Sequence, residues 1–188
     1  MVTLPPPIIE RPSILRSNAQ AQTSHSDTPA LNKKKEAFRQ EAIILIDSRE
    51  QKPYGFPGYE TSREKLNTGD YSLDGLEDRV ALERKSLPDY LGSIMKGRTR
   101  FFKEVKRLAE LEHSAIIIEA NFEDIINESY PRSETIPRNA IIGTTQCIEV
   151  DYGVPVHWVS DRQCAQEWAT WWLERVWFAI ASQNSLEN

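Results

Sequence analysis

Four ionisable side chains stand at spacings that suit chemistry on a phosphate ester: Asp47, Asp70, Glu83 and Lys85. Glu83 and Lys85 lie two apart in Val80-Ala81-Leu82-Glu83-Arg84-Lys85, which alternates like a strand. Ala81, Glu83 and Lys85 therefore share one face, and Val80, Leu82 and Arg84 the other. On a solvent face such a Glu–Lys pair needs no further role. The neighbouring stretch Asp70-Tyr71-Ser72-Leu73, paired across a turn at Asp74-Gly75, changes the weighing, because it brings Asp70 toward Glu83 and Lys85. Asp47, at the end of an upstream aliphatic strand, is expected to join them. Carboxylates packed together repel one another unless a cation neutralises them. Hard oxygen ligands suit Mg²⁺ or Mn²⁺. A lysine beside an activated water can orient it or stabilise the charge that develops during attack on phosphorus.

These side chains need strands to carry them. Ala42-Ile43-Ile44-Leu45-Ile46 is a continuous aliphatic run fit for a strand buried on both faces, and it breaks abruptly into Asp47-Ser48-Arg49-Glu50. Pro53, Gly55, Pro57 and Gly58 then mark a loop. Residues 69–85 read as a hairpin. Ser86, with Asp89 three residues on, resembles a capping box that opens a helix. A further helix is predicted over 99–112, with Phe101, Phe102, Val105, Leu108 and Leu111 on one side. Residues 115–120 and 154–159 read as buried strands, 138–150 and 161–182 as helices, and 121–137 as a short helix and a loop. Trp168, Trp171, Trp172, Val176 and Ile180 fall at helical spacing in the last helix, where tryptophans serve a core more often than an interface. The alternation predicts an α/β fold, a central mixed β-sheet flanked by helices.

Residues 1–38 read as a disordered Pro-, Ser- and Gln-rich tail, leaving 39–188 as one folded domain. No apolar run approaches the roughly 20 residues of a membrane-spanning helix, and nothing resembles a signal peptide. The expected location is cytoplasmic. Cys147 and Cys164 have no metal-ligand spacing and are expected to be reduced thiols. The scattered His25, His113 and His157 argue against a zinc site. The formal charge is −5, yet from Glu83 to Arg107 eight basic residues face three acidic ones. Such a segment can hold a phosphate backbone or be a solvated helix face.

Gly69-Asp70, a gap, then Glu83-Arg84-Lys85, three residues and Asp89 resembles the signature of XPF-type nucleases. These are structure-specific endonucleases of the xeroderma pigmentosum group F type and their archaeal relatives, within the PD-(D/E)xK superfamily. Ile46-Asp47-Ser48-Arg49-Glu50 resembles their first-strand motif, and Gly97-Arg98 and Ile116-Ile117-Ile118-Glu119 follow in the expected order. The likeness runs over residues 43–181. It implies a restriction-endonuclease-like fold and divalent-metal-dependent cleavage of DNA phosphodiesters, at branched or flapped sites. By position it makes Asp70 and Glu83 the main ligands of Mg²⁺ (or Mn²⁺), and Asp47 a further acidic site residue that binds metal directly or through water. Lys85 becomes the catalytic lysine. Arg84 would brace the site from the other strand face, and Asp89 would hold that network or cap a helix. Arg49 and Glu50 would form a supporting ion pair. Arg98, with Arg100 and Lys103 behind it, is the expected phosphate contact.

The departures from the family pattern bear on substrate choice. Family members usually carry a tandem helix-hairpin-helix module after the nuclease domain, and neither that module nor a helicase portion is found in these 188 residues. Selectivity is then expected to come from the nuclease domain, the tail or a partner. Besides DNA, the resemblance implies a homodimer or a nuclease partner subunit, and a nucleoid association if the source is bacterial. The alternative is a non-catalytic DNA-binding module or partner subunit. Degenerate subunits of this family lack the acidic signature, which this chain keeps. A small-molecule enzyme has little support, with no Gly-rich phosphate loop, nucleophile elbow or zinc pattern.

Overall fold

A computed structural model describes residues 29–184 of the chain. The unbroken aliphatic run forms β1 (Ile43–Asp47), buried in the interior of the sheet. The predicted hairpin forms β3 (Tyr71–Leu73) and β4 (Val80–Ser86), and the later apolar runs form β5 (His113–Glu119) and β6 (Val156–Val159). With β2 (Glu60–Glu64) they make a six-stranded sheet in the order β2-β1-β3-β4-β5-β6. The β1–β3 and β3–β4 pairs are antiparallel and the remaining pairs parallel, so the α/β sheet is mixed as expected.

Helices cover both faces. α1 (Pro29–Glu41) and α6 (Arg162–Asn184) lie on one side, where Phe38, Ala165, Ala169, Leu173 and Val176 pack against Ile44, Tyr71, Val80 and Leu82. The other side carries α2 (Leu87–Met95), α3 (Arg98–Ala109), α4 (Phe122–Ile126) and α5 (Arg138–Asp151). There Tyr90, Phe101, Val105 and Ile148 meet Ala81, Ile116 and Ile118. Strand alternation thus sends Val80 and Leu82 to one core and Ala81 to the other.

Three differences from the expected elements have physical causes. α1 begins inside the predicted tail and places Phe38, which is fully buried, against Tyr59, Trp177 and Phe178. One aromatic anchor therefore ties down a polar helix; residues 1–28 lie outside the described residues. β2 was not predicted, because Glu-Thr-Ser-Arg-Glu is largely exposed and lacks an apolar face. It pairs with β1 alone, at an edge where charge discourages further pairing. β6 starts at Val156 instead of Val154, since Pro155 has no N–H to give the ladder. In α6, Trp168, Trp172 and Trp177 pack on the core while Trp171 is 59% exposed. Cys147 and Cys164 are both free thiols. Among the described residues no helix is long and apolar enough to cross a membrane.

Candidate active site

The strand register lines up the predicted acids. Ile46 stands opposite Tyr71 and Tyr71 opposite Leu82. One residue further along, the same registers set Asp47 across from Asp70 and Asp70 across from Glu83, all on the face toward α2 and α3. Asp47 N–H donates to the Asp70 carbonyl (2.8 Å), and Asp70 N–H donates to the Leu82 carbonyl (2.9 Å). Gly69 turns the chain into this row at φ +74°. A Cβ there would lie 3.0 Å from Ala81 Cβ and 3.1 Å from the Leu82 oxygen, so glycine is required.

All three carboxylates line a small cavity, and two of them also open onto a larger cleft. Asp70 and Glu83 line a cavity of about 850 Å³ together with Glu50, Arg84, Lys85, Asp89, Lys96 and Arg100. Lys85 Nζ donates to Glu83 Oε1 at 2.9 Å and sits 5.0 Å from the centre of the Phe101 ring. Asp70 Oδ2 accepts from the Arg84 N–H at 2.8 Å. Asp70 Oδ1 and Glu83 Oε2 accept no hydrogen bond among the described residues. Burial, reinforced by the Glu83 charge, pushes the Asp70 carboxyl up to about 8. Burial also raises Glu83, against the pull of Lys85. Burial works against the Lys85 charge, but Glu83 outweighs it and holds this ammonium above the usual lysine range. The arrangement concentrates negative charge that a cation would relieve.

Asp47 stays in the row, on one cavity with Asp70 and Glu83. It is buried, and its Oδ1 accepts from the Arg49 N–H (2.7 Å) and Nε (2.9 Å). Its Oδ2 accepts from Arg49 NH2 (2.6 Å) and from the Leu66 N–H (3.1 Å). The Arg49 hydrogen bonds hold the Asp47 carboxyl below its usual range. With both oxygens engaged, Asp47 braces the turn and the loop at Leu66. The expected Arg49–Glu50 ion pair does not form, because Arg49 is taken by Asp47. Glu50 instead turns to the cleft, 3.8 Å from Arg84 NH1, and accepts from the Lys52 N–H at 2.5 Å. Glu50 and Asp89 are the further carboxylates on the large cavity, while Asp47 lies on the smaller one. Among the described residues no three His, Cys, Asp or Glu side chains form a group able to hold a metal ion by themselves.

Arg84 braces the site from the opposite strand face, as expected. Its guanidinium makes a bidentate pair with Glu119 on β5, both bonds 2.7 Å, and the two side chains are only 8% and 9% exposed. Arg162 on α6 adds a 3.1 Å bond to Glu119 and donates to the carbonyls of Lys52 and Pro53. The Tyr54 ring lies 5.8 Å from the Arg84 guanidinium and 5.0 Å from that of Arg162. Asp89 takes the helix-cap role. Its N–H donates to Ser86 Oγ at the start of α2, its carboxylate accepts from the Ser86 hydroxyl (2.6 Å), and it lines the cleft.

The basic residues sort differently from the expectation. Arg100 lines the cleft, and so does Lys96. Arg98 does not; its guanidinium stacks 4.6 Å from the Phe102 ring centre and donates to Thr144 Oγ1 at 3.2 Å. Lys103 is exposed and lines none of the described cavities near the acids. Glu104 and Arg107 line a smaller cavity of about 240 Å³ beside Asp70 and Glu83. Neither was singled out as a site residue, although i, i+4 spacing from Arg100 places Glu104 on the same helix side.

Comparison with known proteins agrees with this fold. Residues 46–170 match the ERCC4 domain. A protein of Methanocaldococcus jannaschii that carries the name of an ATP-dependent RNA helicase is 31% identical over 98 residues. That match takes in 52% of this chain and 11% of the other, so the chain spans about a tenth of its relative's length. XPF from Aeropyrum pernix shares the fold at a TM-score of 0.57 and 21% identity, over 77% of this chain and 69% of that one. XPF from Aeropyrum pernix in complex with DNA gives a TM-score of 0.57 at 24% identity, over 73% and 66%.

Proposed function

The chain belongs to the ERCC4 domain family, a family of nuclease type, and on that premise we propose that it is a divalent-metal-dependent endodeoxyribonuclease. In this reading it hydrolyses phosphodiester bonds in branched or flapped DNA. The observation that carries the proposal is the placing of Asp70 and Glu83 on one cleft, with Lys85 bonded to Glu83. Mg²⁺ keeps several waters and takes one or two carboxylates plus substrate phosphates. Two adjacent carboxylates fit that demand without a closed protein cage. Asp70 and Glu83 would hold Mg²⁺ or Mn²⁺, with Glu50 behind them. When bound, the ion supplies charge neutralisation and a water acidic enough to attack phosphorus at neutral pH.

The chain's own groups do the rest. Lys85 keeps its proton and presents an ammonium where negative charge grows on the phosphoryl oxygens. Arg100 and Lys96 bind backbone phosphates along the α2–α3 wall. Arg84 fixes Asp70 through its N–H and anchors β4 through Glu119. DNA as substrate is supported by the family and by the DNA complex of the Aeropyrum pernix protein. We assign pairing with a second copy, or with a nuclease partner subunit, to the outer side of α6, where Trp171 faces solvent. The alternative of a non-catalytic partner subunit gives no reason for a half-buried lysine on Glu83.

A cleavage assay on flaps, forks, junctions and linear duplex, with Mg²⁺, Mn²⁺ or chelator, tests the proposal. Cutting that needs the metal and favours a branched substrate is expected. No cutting of any substrate with either metal would overturn it.

A further inference from the structure

The Gly69–Asp70 step is held from three directions. Two are the sheet bonds that fix Asp70 between Asp47 and Leu82. The third leaves the sheet. At φ +74° the Gly69 N–H turns toward α3 and donates to Glu104 Oε1 at 3.2 Å. Gly69 is buried, and among the described residues Glu104 supplies the acceptor for this N–H. The other Glu104 oxygen is paired with Arg107 one turn along the helix, which keeps the carboxylate oriented and compensated. α3 also presents Arg100 to the large cleft, while Glu104 itself lines the smaller cavities beside Glu83. The helix that faces the DNA path therefore touches the loop that aims Asp70.

We propose that Glu104 is a positioning residue for cleavage: by accepting the Gly69 N–H it fixes the direction of the Asp70 carboxylate, and it couples the seating of α3 on DNA to the geometry of the acidic pair. The inference rests on the nuclease reading above. It does not make Glu104 a metal ligand, because an uncharged acceptor of the same shape would do the same work.

That distinction sets the experiment. Glu104→Ala and Glu104→Gln are compared with wild type by amide exchange at Gly69 and by Mn²⁺-supported cleavage. In wild type and Glu104→Gln the Gly69 amide should be protected. In Glu104→Ala it should exchange at least about tenfold faster. Glu104→Ala should lose about tenfold to a hundredfold in kcat, with KM for DNA within about twofold, and Glu104→Gln should stay within about threefold of wild type. Glu104→Ala that keeps both protection and kcat overturns the proposal. So does Glu104→Gln that retains protection yet cuts as poorly as Glu104→Ala, since the charge would then be what matters. If Glu104→Ala does not fold, Glu104→Gln decides: protection and activity together support the proposal, and loss of either overturns it. A wild-type chain that cuts nothing ends the nuclease reading, and Gly69 exchange alone then decides whether Glu104 positions the loop.

Discussion

Asp70→Asn should make the metal-free protein more stable at alkaline pH while removing the proposed nuclease activity. In the unfolded chain Asp70 titrates near 3.8, and in the folded chain burial and Glu83 raise it to about 8. Between those values the folded protein holds a proton that the unfolded protein has released. Unfolding therefore releases a proton, and raising the pH favours it. Wild-type stability should fall from about pH 4 to about pH 8 and then level off. An asparagine has no proton to lose, and its amide oxygen can still accept the Arg84 N–H. A shift of about four units sets a ceiling of about 6 kcal/mol. Asp70 opens onto a water-accessible cleft, where a higher local dielectric roughly halves this, so we expect about 3 kcal/mol at pH 8. For a chain of this size that is roughly 6–12 °C in Tm. Thermal melts of both proteins in chelator, from pH 5 to pH 9, measure the gap directly. It should open with rising pH. Mg²⁺ at about a hundred times its Kd should then raise the wild-type Tm by an amount equivalent to about 2.7 kcal/mol, and leave Asp70→Asn unmoved. Equal melting temperatures at pH 8, or a gap that closes as pH rises, would refute the reasoning.

Lys85→Ala should lower single-turnover cleavage about a thousandfold, with DNA affinity within a few fold; a loss under tenfold would remove Lys85 from the chemistry. Arg84→Ala leaves the Glu119 carboxylate to Arg162 alone and should cost about 1.5–3 kcal/mol in denaturant unfolding, and a loss below about 0.5 kcal/mol would show the bidentate pair to be dispensable. Arg100→Ala should weaken DNA binding and reduce the slope of log K against log salt by about one, while Lys103→Ala should leave both near wild type; the reverse ranking in a fluorescence anisotropy titration would misplace the DNA path.

The hairpin and its acids were legible because several signals agreed there. Alternation fixed the faces of β4, Asp74-Gly75 fixed the turn, and the register followed. The fate of Asp47 was not legible. Its partner is two residues away in sequence, and only the turn that gives a 3.0 Å bond from the Glu50 N–H to the Asp47 carbonyl swings Arg49 back and Glu50 out. β2 carries no apolar pattern, and its parallel pairing with β1 is a tertiary fact. Arg98 admits two readings. Phe102 stands four residues on, where a helix brings an arginine onto a ring, so a stacked role competed with phosphate contact from the start. Phe38 shows the converse limit, for a single aromatic in a polar segment gives no periodicity yet anchors a helix.

β4 explains why the site tolerates so much charge near a core. Its alternation gives Glu83 and Lys85 to the cleft and Arg84 to the opposite side, while the Arg84 N–H, pointing along the sheet, holds Asp70. A slip of one residue would exchange these faces, driving Arg84 into the acidic row and Glu83 onto Glu119. The register must therefore be fixed by something other than the charged residues. The parallel ladder does this, running unbroken from Val80 opposite His113 to Ser86 opposite Glu119. Val80, Ala81 and Leu82, all fully buried, lock its first half before any ionisable side chain is reached. The geometry of the acidic row thus depends on apolar packing in the half of the strand that carries no charge. Enlarging Ala81, whose Cβ already meets the space above Gly69, should disturb Asp70 without touching a charged group.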